Sequence, residues 1–140
     1  FILQTNFLAM KRVSLFVLPT ARSLVELSFE LGFNMQETEL ESLLEKIRSR
    51  EFRRNRYDAA IATAMLWRGV MSILKHKDKR EVAYLLKEML GRVLAINGFR
   101  FDATLGEVVY ISSRLLENAI SFKDLARWIE KRIAVVEPQS

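Results

Sequence analysis

The chain has 140 residues, half of them apolar, with 22 lysines and arginines against 17 acids and a formal charge of +5. That length suits one domain with a core of its own, and the small positive surplus favours an anionic partner without demanding one. With no cysteine and a single histidine, disulfides and cysteine nucleophiles are excluded, and neither a metal site nor a cofactor is expected.

The opening run "FILQTNFLAMKRVSLFVL" is apolar, but Lys11 and Arg12 break it and Gln4, Thr5 and Asn6 dilute it. No uninterrupted apolar stretch reaches the roughly 18 residues of a membrane span. Positive charge in the middle of the run, rather than before it, is also not the pattern of a signal peptide. Its spacing allows a helix from Ile2 to Leu18, stopped by Pro19, although "LFVL" also suits extended chain. If residues 1–18 do not fold back on the core, their apolar surface is a docking element.

A second helix is expected from Thr20 or Ala21 to Leu31, with Gly32 as its stop. Asn34 precedes Glu37 by three and Thr38 precedes Glu41 by three, so two nested capping boxes are available to the third helix. That helix carries Glu37, Glu39, Glu41 and Glu45 at its start and Arg48, Arg50, Arg53, Arg54 and Arg56 at its end. Charges so placed complement the helix dipole, each by about 0.3–1 kcal/mol. The arginine cluster therefore has a structural explanation beside a functional one, a nucleic-acid or anion surface.

The fourth helix, "YDAAIATAMLWRGVMSILK", holds Arg68 as its one charge between Ala59 and Leu74. A helix apolar on nearly all sides is surrounded by others, and its small residues permit close approach. Arg68 must reach water, bridge to a neighbouring glutamate, or anchor an anionic ligand, because burying it alone is costly. The fifth helix runs from Asp78 to Ile96 with a stripe of Leu85, Leu86, Met89, Leu90, Val93 and Leu94, and Asn97-Gly98 ends it. Thr104 with Glu107 caps a sixth, and Ser121 with Asp124 a seventh, whose face is Leu125, Ile129 and Ile133. Residues 136–140 read as a frayed tail. The expected fold class is all-α: a single compact domain over 1–140, about six to seven helices around the central apolar one, with no confident strand.

A second basic group, Lys75, Lys77, Lys79 and Arg80, surrounds His76 and Asp78. A straight fourth helix would hold Arg56 and Lys75 about 29 Å apart, so the two basic groups are separate patches rather than one groove. Phe52 and Tyr57 are the aromatics interleaved with the first. A serine or threonine nucleophile would have to use His76 as its base, and no glycine-rich phosphate loop is present.

From Glu39 to Arg132 the chain resembles the Doc (death-on-curing) branch of the Fic fold. The positions that carry the likeness are Asn97, Gly98, Phe99, Glu107, Val109, Ser121, Leu125, Ala126 and Trp128, preceded by "LESLLEKIRSREF" and "YDAAIATAMLWRGVMSILKH". The resemblance implies a small, helical, cytosolic toxin of a toxin–antitoxin pair. Working members transfer a nucleotide or phosphate group to a protein hydroxyl, with a loop histidine as base and an acid on magnesium. His76, Asp78 and Arg80 would be the candidate catalytic residues. Where the family reads His-x-Phe-x-Asp-(Gly/Ala)-Asn-Lys-Arg-Thr, this chain reads "HKDKREVA", which leaves out the aromatic, the small residue and the asparagine. The leading expectation is therefore a non-catalytic, cytoplasmic interaction module or assembly subunit with a protein partner or a second copy of itself. A Doc-like transferase and a nucleic-acid binder using Arg48–Arg56 are the alternatives.

Overall fold

A computed structural model describes residues 15–136. They form six helices and one two-stranded antiparallel sheet, so the fold is all-α as expected. In chain order the elements are α1 (Ala21–Glu30), α2 (Glu37–Arg48), α3 (Arg56–Ile73), α4 (Lys79–Ala95), β1 (Phe99–Phe101), α5 (Leu105–Leu116), α6 (Phe122–Glu130) and β2 (Ile133–Val135). Among the described residues, no helix is long and apolar enough to cross a membrane.

The expected central helix is α3. Ala59, Ala60, Ala62, Ala64, Leu66, Trp67 and Val70 are at most 1% exposed, and α2, α4, α6 and β2 all pack against it. Burying a side chain such as Leu66 or Val70 contributes about 1.5–3 kcal/mol. Gly69 lets α2 come close, because a β-carbon there would run into the end of Leu43. Ile61, on the same helix, is only half-buried.

Several local expectations fail for identifiable reasons. Neither Asn34 nor Thr38 caps α2. Gln36 takes the cap position and makes no side-chain bond. Phe33 and Met35, 5% and 4% exposed, pull the preceding loop into the core and so fix where the helix starts. The same helix stops at Arg48 rather than running to Arg56. Glu51 turns left-handed at φ 51°, Phe52 inserts into the core, and the side chain of Asn55 caps the next helix by accepting from Asp58 N. Only Arg48 of the arginine cluster therefore lies in the last turn of α2, and Arg56 opens α3.

Two short strands were not foreseen. Phe99 pairs with Val135 and Phe101 with Ile133, so Ile133 belongs to β2 and not to α6. Three-residue strands offer too few alternations to be read from sequence. Val136 is also held, its N–H donating to Gly98 O at 2.9 Å, so the expected fraying does not include it. Residues 137–140 lie outside the described part.

Of the expected first helix, residues 2–14 also lie outside the described part. Leu15–Leu18 take the extended alternative that "LFVL" offered: Leu15 forms an antiparallel bridge with Arg53, and Phe16 N donates to Phe52 O at 2.8 Å. Phe16 and Leu18 pack on the core. The end of the opening run thus folds onto the domain. The caps at Thr104 and Ser121 form as expected, and Thr104 and Glu107 make a complete capping box.

Candidate functional site

The turn after α3 carries Lys75, His76, Lys77, Asp78, Lys79 and Arg80, all exposed. Asp78 begins α4: its Oδ1 accepts from the N–H of Arg80 at 3.0 Å and of Glu81 at 3.2 Å. The helix N-terminus that would receive an anion is therefore occupied by the chain's own carboxylate. Arg80 lines a shallow cleft with Leu31, Gly32, Glu81 and Tyr84, a lining that His76 and Asp78 do not share. His76, Asp78 and Arg80 are neighbours in sequence without converging on that cleft. Among the described residues, no three acidic or histidine side chains gather closely enough to hold a metal ion.

The arginines of the first cluster scatter into separate tasks. Arg48 donates to Glu41 at 3.0 Å and Glu45 at 2.8 Å. Arg50 lies 5.4 Å from the centre of the Phe52 ring. Arg53 uses its backbone N–H on Asp58 Oδ2. Arg56 reaches across to the end of α6, where its guanidinium donates to Glu130 O at 2.7 Å. There a cation meets the negative end of a helix, a favourable placement. Arg54 is exposed. Arg68 is exposed too, with its guanidinium carbon 4.6 Å from the centre of the Phe122 ring, so it reaches water across an aromatic face.

Asn97, only 2% exposed, does the work of a strand. Its Oδ1 accepts from Val17 N at 2.7 Å, while its Nδ2 donates to Val17 O at 2.8 Å and to Val93 O at 2.7 Å. A carboxamide carries the same donor and acceptor as a peptide group, so this side chain pairs with extended backbone as a neighbouring strand would. Around it stand Val17, Ile96, Val135 and Val136, between 44% and 60% exposed. They come from three stretches of chain that meet at residues 97–99.

A third arrangement joins α5 to the end of α6. Arg132 donates to Glu107 Oε2 at 2.9 Å and lies 3.9 Å above the Trp128 ring. Trp128, Trp67 and Phe101 form an edge-to-face trio, and Trp67 Nε1 donates to the buried Ser112 hydroxyl. The Thr104 backbone N–H, followed by Arg132, holds the Glu107 carboxyl below its ordinary range. Thr104, Gly106 and Tyr110 complete a notch of about 430 Å³. Its charged groups already satisfy one another.

The fourth arrangement is a groove between α3 and α6, lined by Tyr57, Ala60, Ile61, Phe122, Ala126 and Glu130, with Lys123 and Arg127 on its α6 side. Tyr57 is 64% exposed. Periodicity located both helices but not the groove. The available signal was the spacing of Phe122, Ala126 and Glu130, four residues apart along one face of α6.

Compared with protein-family models, with curated proteins and with solved structures, the chain finds no match in any of the three.

Proposed function

We propose that the chain is a non-catalytic helical interaction module or assembly subunit, cytoplasmic, and a degenerate relative of the Doc branch. The observation that carries this reading is that Val17, Ile96, Val135 and Val136, each 44% or more exposed, lie on the stretches of chain that meet at a fully bonded Asn97. Exposed apolar side chains on neighbouring, well-bonded stretches are what a protein partner or a second copy would cover. The same reading accounts for Asp78, whose carboxylate caps α4 where a transferase would need it on a metal.

The test is the assembly state of the purified full chain, measured by light scattering across a concentration series. Self-association, or a defined partner retained through purification, is expected. Ile96→Glu with Val135→Glu should abolish it while leaving the melting temperature in place. A chain that stays monomeric and retains nothing would sink the reading. If nucleotide with magnesium then raised the melting temperature, and His76→Ala removed labelling of a target protein, the transferase alternative would replace it.

A further inference from the structure

We infer that the α3–α6 groove receives an acidic amphipathic helix from a protein partner. This rests on the interaction-module reading and adds a second contact surface, other than the Ile96–Val135 face, with its chemistry.

The two helices that build the groove are antiparallel. Arg56, at the start of α3, bonds Glu130 at the end of α6. Arg68, farther along α3, lies over Phe122 at the start of α6. These two contacts fix both ends. On the α6 side the lining runs from Phe122 to Glu130, eight steps of helix or about 12 Å at 1.5 Å per residue, which is roughly two turns of an incoming helix. Between the ends, Ala60 and Ala126 give a low floor and Ile61, Phe122 and Tyr57 give apolar walls. Ile61 and Phe122 are half-buried and Tyr57 mostly exposed, so part of their apolar surface still faces water.

The backbone around the groove decides the form of the occupant. Both walls are helices, whose N–H and C=O groups bond within each helix. Among the described residues no strand lines the groove, so an extended peptide would leave its own backbone groups unpaired. A helix brings its backbone already bonded and presents apolar side chains at i, i+3, i+4 and i+7 to a floor of this shape.

Charge decides its sign. Lys123 and Arg127 line the α6 rim, and Arg56 and Arg68 mark the two ends. Glu130 is the carboxylate of the lining. Within the lining two cations stand against one acid, a balance that favours a partner helix with aspartates and glutamates flanking its apolar stripe. A single exposed ring, Tyr57, over a floor of alanine and isoleucine is a poorer match to stacked bases, which need successive aromatic platforms.

The experiment uses the full chain and three probes followed by fluorescence anisotropy. One is a synthetic helical peptide of at least about two turns with leucines on one face and glutamates on its flanks. The second is its Glu→Gln counterpart, and the third an oligothymidylate single strand. The acidic peptide should bind at least about tenfold more tightly than the glutamine version, and its affinity should fall as salt rises. Lys123→Glu with Arg127→Glu should remove that binding at an unchanged melting temperature, since both side chains are exposed. Tyr57→Ala should weaken both peptides alike. Equal binding of the two peptides, binding that survives the Lys123→Glu/Arg127→Glu change, or no binding at all overturns the inference. Tighter binding of oligothymidylate overturns it in favour of a nucleic-acid surface. A chain that fails here but still assembles through the Ile96–Val135 face loses this groove's assignment and keeps its broader one.

Discussion

The two basic stretches look alike as sequence and behave differently as structure. Between Arg48 and Arg56 three of the five arginines are tied into the fold by their side chains: Arg48 ties two glutamates of its own helix, Arg50 lies against Phe52, and Arg56 joins α3 to the end of α6. Between Lys75 and Arg80 the described side-chain hydrogen bonds are made by the one acid, Asp78. The difference comes from what each stretch lies against. The first wraps around a buried aromatic, Phe52, and faces the end of another helix. The second crosses the open end of α3 and meets mainly water. A run of like charge is therefore not a functional unit until its neighbours are known.

The contrast can be broken most forcefully at Phe52. Its ring is 8% exposed, and removing it leaves a cavity beneath both Arg50 and the extended Leu15–Leu18 segment. Phe52→Ala should cost about 3–5 kcal/mol in chemical denaturation. A cost under about 1 kcal/mol would mean that the first stretch is as loosely held as the second. A smaller effect is expected from Asp78→Ala, which deletes the cap of α4 and should cost about 1 kcal/mol. A similar loss with Asp78→Asn would show that charge rather than hydrogen bonding sets it. The smallest belongs to His76→Ala, which should stay within about 0.5 kcal/mol of the parent, as exposed substitutions do. A clearly larger loss would reveal a partner for the imidazole and remove the contrast.

How much of this was legible beforehand depended on the range of the interaction. The central position of α3 followed from a helix with one charge in sixteen positions, a local pattern. The caps at Thr104 and Ser121 were equally local and formed as expected. Asn34 and Thr38 carried the same capping spacing and failed, because burial of Phe33 and Met35 outweighs a cap worth about 1 kcal/mol. The break after Arg48 was missed for a related reason: a left-handed Glu51 is not a residue that advertises a turn. Asn97 was read as a helix stop, which it is, yet its main bonds reach Val17, eighty residues away, and no spacing rule carries that distance. The α3–α6 groove likewise exists only once the two helices lie side by side.

Asn97 and Gly98 also decide where the chain enters and leaves the domain. Val17 is bonded to the one and Val136 to the other, so both ends of the described chain emerge at the same spot. A label or fused domain attached directly beside Val17 or Val136 would crowd the apolar residues there. A circularly permuted version of residues 15–136, opened at the exposed turn around Asn118 and closed by a short linker from Val136 to Leu15, would carry its fusions away from those residues and leave them clear.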